Sequence, residues 1–323
     1  MSCVRIGYPL RCFDEELAIW NLKIQIDDIT DLLWNIFIIL SLFLNQSFLN
    51  YIFFLKTNSL CYIITEIIIS VFSMNVAILS DIHGNVCALK AVLSDIKSLN
   101  ISEILFLGDL VINGPTPLEV FQELRNLRLM CWVKGNTDIW FAEISDKWSP
   151  TTKQEEKLYK NYIFARDHLN RESIDFLLKR PEKCVFQVAG INILAVHGSP
   201  RSISEGIGKN LKHDELKIIF SNIEESIIVS GHTHVPFIGK VAKKVIFNVG
   251  SIGLPLDGDN RASYGIIKIK NQTPECSIRK VSYSLEETLK IAENRGFPDL
   301  NNYKKMLNQA RIPPWIFKLY KTI

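Results

Sequence analysis

The chain has 323 residues, 47% apolar and 22% charged, with 37 Lys and Arg against 34 Asp and Glu for a net charge of +3. That length builds one large core or two modest ones, and the balance excludes a disordered chain and gives no argument for nucleic acid or an anionic membrane as partner. Seven cysteines (Cys3, Cys12, Cys61, Cys87, Cys131, Cys184 and Cys276) show neither CxxC spacing nor an even framework, so they read as reduced thiols of a cytoplasmic protein.

Composition breaks at Met74. Residues 1–73 are rich in Ile, Leu, Phe and Asn and contain no His, whereas all six histidines lie beyond them. Leu32 to Leu55 runs for 24 residues without a formal charge, long enough for a bilayer, but Asn35, Ser41, Asn45, Gln46, Ser47 and Asn50 interrupt it. Three readings stand: a membrane anchor with a cytoplasmic catalytic domain, an amphipathic or packing extension, or upstream sequence before a true start at Met74. The third is favoured because Met74 directly precedes the first strand of a complete domain, 74–323.

Taken in order, that domain opens with a buried strand, Val76 to Leu79, ending in Ser80, Asp81, Ile82, His83, Gly84 and Asn85. Asp81 and His83 are two apart, which in extended backbone points both the same way. Val86, Leu89, Leu93 and Ile96 repeat at helical spacing over Val86 to Ser98. Ile104 to Leu107 is the next strand and delivers Asp109 in GDLVINGP; a helix follows over Pro117 to Asn126. Met130 to Val133 ends in KGNTD, bringing Asn136 and Asp138 to the same edge. Three strand–loop–helix repeats predict a mostly parallel sheet with its reactive groups on one rim.

A helical insertion, about 141–180, then lies over that rim, with His168 on its surface. Val185 to Val188 and Ile191 to Val196 pair through a turn at Ala189 and Gly190, and the second delivers His197 in HGSP. Leu211 to Phe220 is helical, with His213 solvated. Ser226 to Ser230 ends in GHTHVP with His232 and His234. Lys244 to Asn248, the NVGSIGLP loop, two antiparallel strands (Tyr264 to Lys270, Glu275 to Ser282) and two helices (Leu285 to Asn294, Asn301 to Gln309) close the chain.

Five strand ends therefore carry Asp81 with His83, Asp109, Asn136, His197, and His232 with His234. Oxygen and imidazole donors without thiolate suit Mn²⁺, Fe²⁺, Co²⁺, Ni²⁺ or Zn²⁺, and seven donors are too many for one catalytic ion. A two-metal centre follows.

The ordered set DIHGN, GDLVINGP, GNTD, HGSP and GHTHVP resembles the calcineurin-like metallophosphoesterases, and most closely their small prokaryotic phosphodiesterase branch, over about Met74 to Ser282. The resemblance implies an α/β fold, a four-layer α/β/β/α sandwich with two facing mixed sheets. It implies Asp81, His83 and His234 on one metal, Asn136, His197 and His232 on a second, Asp109 bridging, and Mn²⁺ as the leading cofactor. A bridging hydroxide would attack phosphorus, with Asp81, Asp109, Asn136 and His197 carrying catalysis. Where many members read GNHD this chain has Thr137, which cannot serve as a general acid near neutral pH. Diesters or phosphoanhydrides are then favoured over alkyl monoesters.

Three residues are candidates for substrate contact: Asn85, whose alternative is an N-cap, and Arg201 and Arg261, whose guanidinium groups match a phosphate bidentately. The expected partner is a small phosphorylated substrate, a nucleotide among the candidates, with no specific nucleic-acid binding; a homo-oligomer is compatible with the sequence. Two other classes stay open: a scaffold or interaction protein on the same fold, and a membrane-tethered phosphoesterase that depends on residues 1–73.

Overall fold

The computed structural model describes residues 74–144, 148–270 and 273–311. The readings made for residues 1–73 lie outside them. Among the described residues no helix is long and apolar enough to cross a membrane.

Two five-stranded mixed sheets face each other. The first is built from β1 (Met74–Leu79), β2 (Glu103–Phe106), β3 (Cys131–Trp132), β9 (Ala262–Lys270) and β10 (Thr273–Val281), in the order β10-β9-β1-β2-β3. The second holds β4 (Lys183–Val188), β5 (Ile191–Val196), β6 (Ile227–Ser230), β7 (Phe237–Val241) and β8 (Lys244–Asn248), in the order β4-β5-β6-β8-β7. Strands β1, β2 and β3 run parallel, joined by α1 (Val86–Ser98) and α2 (Pro117–Arg125). The predicted mostly parallel sheet is corrected on its other side, where β9 pairs antiparallel with both β1 and β10.

Alternation along β1 accounts for the layering. Val76 and Ile78 enter the core between the sheets, with Leu105, Leu107, Ile193, Val229 and Phe247, while Ala77 and Leu79 face the first helical layer. A strand apolar on both faces needs cover on both. That helical layer is α1 and α2, joined by α5 (Arg171–Leu178), whose Phe176 packs edge-on against Trp132 and Phe121. The outer face of the second sheet is covered by α6 (His213–Ile219) through Leu216 and Ile219. The result is the four-layer sandwich that the resemblance implies.

The local reasons are ordinary. Asn85 caps α1 by accepting from the Ala88 N–H at 3.1 Å, and Pro117 occupies the first turn of α2, where no N–H is needed. Ala189 and Gly190 both take left-handed backbone, which closes the two-residue β4–β5 hairpin. The insertion folds as α3 (Trp140–Glu143), α4 (Lys153–Asp167) and α5, with a Thr152–Glu155 capping box opening α4. His168 and His213 are exposed, as expected. Strand β7, with its short turn into β8, has no counterpart in the sequence reading. Two closing helices, α7 (Leu285–Asn294) and α8 (Leu300–Gln309), pack on each other.

Candidate metal centre

All seven predicted donors converge where β1, β2, β3, β5 and β6 end. His83 Nε2 lies 3.0 Å from His234 Nε2, 3.7 Å from Asp81 Oδ1 and 3.6 Å from Asp109 Oδ2. His197 Nε2 lies 3.5 Å from Asp109 Oδ2, 4.0 Å from Asp81 Oδ1 and 3.0 Å from Asn136 Oδ1, and His232 Nδ1 is 2.8 Å from that same amide oxygen. Two buried groups emerge, Asp81 with His83 and His234, and Asp81 with Asp109 and His197. Asp109 Oδ2 stands between His83 and His197, and Asp81 Oδ1 also reaches both groups.

The surrounding backbone decides which atoms face inward. His83, His197 and His234 each direct Nδ1 at a carbonyl, of Ile112, Leu107 and Leu254, at 2.8, 2.7 and 2.7 Å. A carbonyl only accepts, so Nδ1 carries the proton and the neutral ring turns its Nε2 lone pair to the centre. Asp81 Oδ2 accepts from Ser80 Oγ at 2.6 Å and from the His232 N–H at 3.0 Å, leaving Oδ1 turned inward, 3.1 Å from His234 Nε2. Asp109 Oδ1 accepts from the Thr137 N–H at 2.9 Å, leaving Oδ2 inward.

Lone pairs converging in a buried space repel unless positive charge joins them, so this donor set fits divalent cations. Without a cation, protons take part of that role. Burial works against the His197 imidazolium, yet Asp109 and Asp81 lift it to about 9, and Asp81 with Asp109 raises His83 likewise. Burial alone would raise Asp81, but His234 and His197 hold it well below the usual carboxylate range. Burial and the neighbouring His197 push His232 down to about 4.

The extended Asp81-x-His83 geometry is corrected. Asp81 and His83 have φ of 53° and 47°, and Asp109, His232 and His234 are left-handed too, at 59°, 64° and 57°. Tight loops, not a strand's alternation, aim these side chains. Two glycines permit the crowding: a Cβ on Gly135 would lie 2.0 Å from Asp109 Oδ1, and one on Gly231 would lie 1.9 Å from Ser80 Oγ.

The substrate-contact candidates are not brought to the centre. Asn85 is fully buried, its oxygen spent on the α1 cap and its amide on the Gly253 carbonyl at 3.1 Å and the Tyr283 hydroxyl at 3.3 Å. Arg201 closes its fork on Glu205, and Arg261 pairs with Asp259 at 2.6–3.1 Å; both are exposed. Asp138, named in the GNTD run but given no role, does hold the site. Its carboxylate accepts from the N–H groups of Asp109, Gly135 and Leu110 at 2.9, 2.8 and 3.2 Å, tying two donor loops together. Burial and the Asp109 charge push its carboxyl up to about 6 despite those donors. An acid two residues after a predicted ligand was the only signal for it.

A four-layer sandwich with two Asp/His clusters buried along one rim fits the metallophosphoesterase class. The family profile of the calcineurin-like phosphoesterase superfamily domain matches residues 74–272, and the chain belongs to that family. An uncharacterised protein of Methanocaldococcus jannaschii is 31% identical over 241 residues, spanning 68% of this chain and 93% of its own length. Among solved structures, a metallophosphoesterase from Sphaerobacter thermophilus is 27% identical with a TM-score of 0.61, covering 73% of this chain and 99% of that one. A hypothetical protein from Pyrococcus horikoshii shares the fold at 20% identity and a TM-score of 0.64, over 72% of this chain and 97% of that one.

Proposed function

We propose that this chain is a dinuclear metal-dependent phosphoesterase that hydrolyses phosphodiester or phosphoanhydride bonds of a small substrate in the cytoplasm. The observation that carries the reading is the inward convergence of seven oxygen and nitrogen donors, five of which (Asp81, His83, Asp109, His197 and His234) form two buried groups that share Asp81, with Asn136 and His232 beside His197. Asp81, His83 and His234 would hold one cation, Asn136, His197 and His232 the other, with Asp109 between them. Two divalent cations, when bound, supply Lewis acidity toward phosphoryl oxygens and lower the pKa of water for attack at phosphorus. The chain's own part is orientation: carbonyls fix the three Nε2 lone pairs, and Ser80 and two backbone N–H groups select which carboxylate oxygen faces the centre.

Thr137 supports the preference for diesters and anhydrides. Its hydroxyl is buried beside Asp109 without a hydrogen-bond partner, and a hydroxyl does not deliver a proton to a poor leaving group near neutral pH.

The test is hydrolysis of bis(p-nitrophenyl) phosphate and p-nitrophenyl phosphate by the full chain, after EDTA and again with Mn²⁺. Diester cleavage should return with metal and fall by about 10²–10³-fold or more in Asp109→Asn. A folded chain that binds Mn²⁺ and cleaves neither ester would sink the proposal and put the scaffold reading first.

A further inference from the structure

A cavity of about 360 Å³ opens onto the centre, within the size range of small-molecule pockets. One part of its wall is the donor rim itself. Most of the remainder is apolar: Trp140 on α3, Leu158 on α4, Leu254, Leu256, Phe297, and Met306 on α8.

This apolar wall is firmly backed and incompletely covered. Leu254 and Phe297 are 3% and 5% exposed and belong to the cluster that packs α7 and α8. Trp140, Leu158, Leu256 and Met306 are only half-buried. Apolar surface is therefore left to water inside a concave site, although covering such surface is what drives folding and binding. A contiguous apolar wall left uncovered beside a polar centre marks the place of a ligand's apolar part.

The polar groups of the wall point the same way, because they pair within the protein. The Asn161 amide donates to Asn113 Oδ1 at 3.0 Å, and the Asn302 amide to Asp299 Oδ2 at 2.6 Å. Among the described residues of the wall, Lys157 is the one Lys or Arg, and Asp299 holds it at 3.3 Å; Glu143 adds a negative charge. A second phosphate on the ligand would meet no uncommitted cation there. Sugar hydroxyls would exchange water for carbon along most of the wall, a loss that too few hydrogen bonds offset. A hydrocarbon group gives up only its hydration shell.

We propose that this cavity takes the hydrocarbon ester group of the substrate, so that the phosphoesters bound are those of an apolar alcohol and not of a sugar or a polyphosphate. The phosphate end rests on the phosphoesterase reading above and narrows it to esters; the apolar end rests on the wall.

The probes are ethyl-, butyl- and hexylphosphonate, whose carbon–phosphorus bond ester hydrolysis leaves intact, and 3,4-dihydroxybutylphosphonate as the polar counterpart. Each is titrated calorimetrically into the full Mn²⁺-loaded chain. Affinity should rise about tenfold from ethyl to butyl and about tenfold again to hexyl, the transfer worth of two buried methylenes at each step. The dihydroxybutyl compound should bind about tenfold or more weakly than butylphosphonate. Met306→Gln and Leu158→Gln should each cut the gain from ethyl to hexyl several-fold, with Mn²⁺ titration as the check that the variants are folded. Affinity that does not depend on chain length, a dihydroxybutyl compound bound as tightly as butylphosphonate, or no phosphonate binding at all overturns the proposal. Folded variants that keep the full gain overturn it as well, since the chain then lies elsewhere. Length-dependent binding in a protein that hydrolyses neither nitrophenyl ester would keep the subsite and remove the phosphoesterase reading, so the two fail separately.

Discussion

The rim and the roof of the cavity are built by opposite rules. On the rim, the donors leave short loops at strand ends, and backbone orients most of them: three carbonyls hold three imidazoles, N–H groups hold the outer oxygens of Asp81 and Asp109, and three more hold Asp138. The roof is helical, contributed by α3, α4 and α8, and a solvent-accessible ion pair, Lys157 to Asp299 at 3.3 Å, crosses from one helical segment to the other. The rim belongs to the sheets and shares their rigidity. The roof is an insertion plus a carboxyl-terminal helix, free to differ without disturbing the sheets. On the proposed reading, the rim would carry the reaction and the roof would bear on the choice of substrate.

Breaking the rim without touching a donor sharpens the contrast most. Asp138→Asn keeps the shape but replaces one accepting oxygen with a donor facing N–H groups. Metal affinity should fall about 10–100-fold, as for other groups that orient ligands. Mn²⁺ titration of the variant measures this; an unchanged affinity would mean the Asp109 loop holds its place alone.

A second test uses pH. In the metal-free chain His197 is lifted from 6.5 to about 9. Its proton therefore stabilises the fold fully below about pH 6.5, and that contribution is lost as pH rises through about 9. Mn²⁺ must displace this proton, so the gain in Tm on adding Mn²⁺ should widen across that window. A gain that is flat with pH would contradict the electrostatics described for the rim.

The smallest effect lies far from both regions. Asp95 on α1 accepts from Arg279 at 2.6 and 2.8 Å and from the Tyr264 hydroxyl at 2.7 Å, and Arg279, with a smaller part from Tyr264, holds its carboxyl low against the opposing effect of burial. Its contribution is present above about pH 4 and lost as pH falls through the lowered folded value. With the guanidinium partly exposed, Asp95→Asn should cost about 1 kcal/mol at pH 7 in urea unfolding and leave hydrolysis unchanged.

How far the sequence could be read follows the same division. Strand runs such as Val76 to Leu79 and Ile227 to Ser230 are continuous and apolar, so the sheets and the residues at their ends were legible. The seven donors were legible because each follows such a run. What escaped depends on backbone that residue type does not announce. Asp81 and His83 meet through left-handed turns, Asp138 acts on N–H groups of other loops, and Asn85 is consumed by a cap and a brace. Arg201 and Arg261 looked like phosphate clamps because their acidic partners, Glu205 and Asp259, sit a few residues away and read as ordinary surface charge. The α8 wall escaped because helical spacing says which face is apolar, not what it faces.

Five non-glycine donors in left-handed backbone also set evolution of this protein against itself. Such residues each cost on the order of 1–3 kcal/mol that glycine would not. Selection for heat resistance alone, in a medium stripped of metal, would therefore favour glycine at Asp81, His83, Asp109, His232 and His234, the positions proposed to hold the metals. Cells that supply metal reverse that pressure, because a cation that binds only the folded chain stabilises it by mass action. On the proposed reading, metal supply would then be a condition for keeping these residues as well as for hydrolysis.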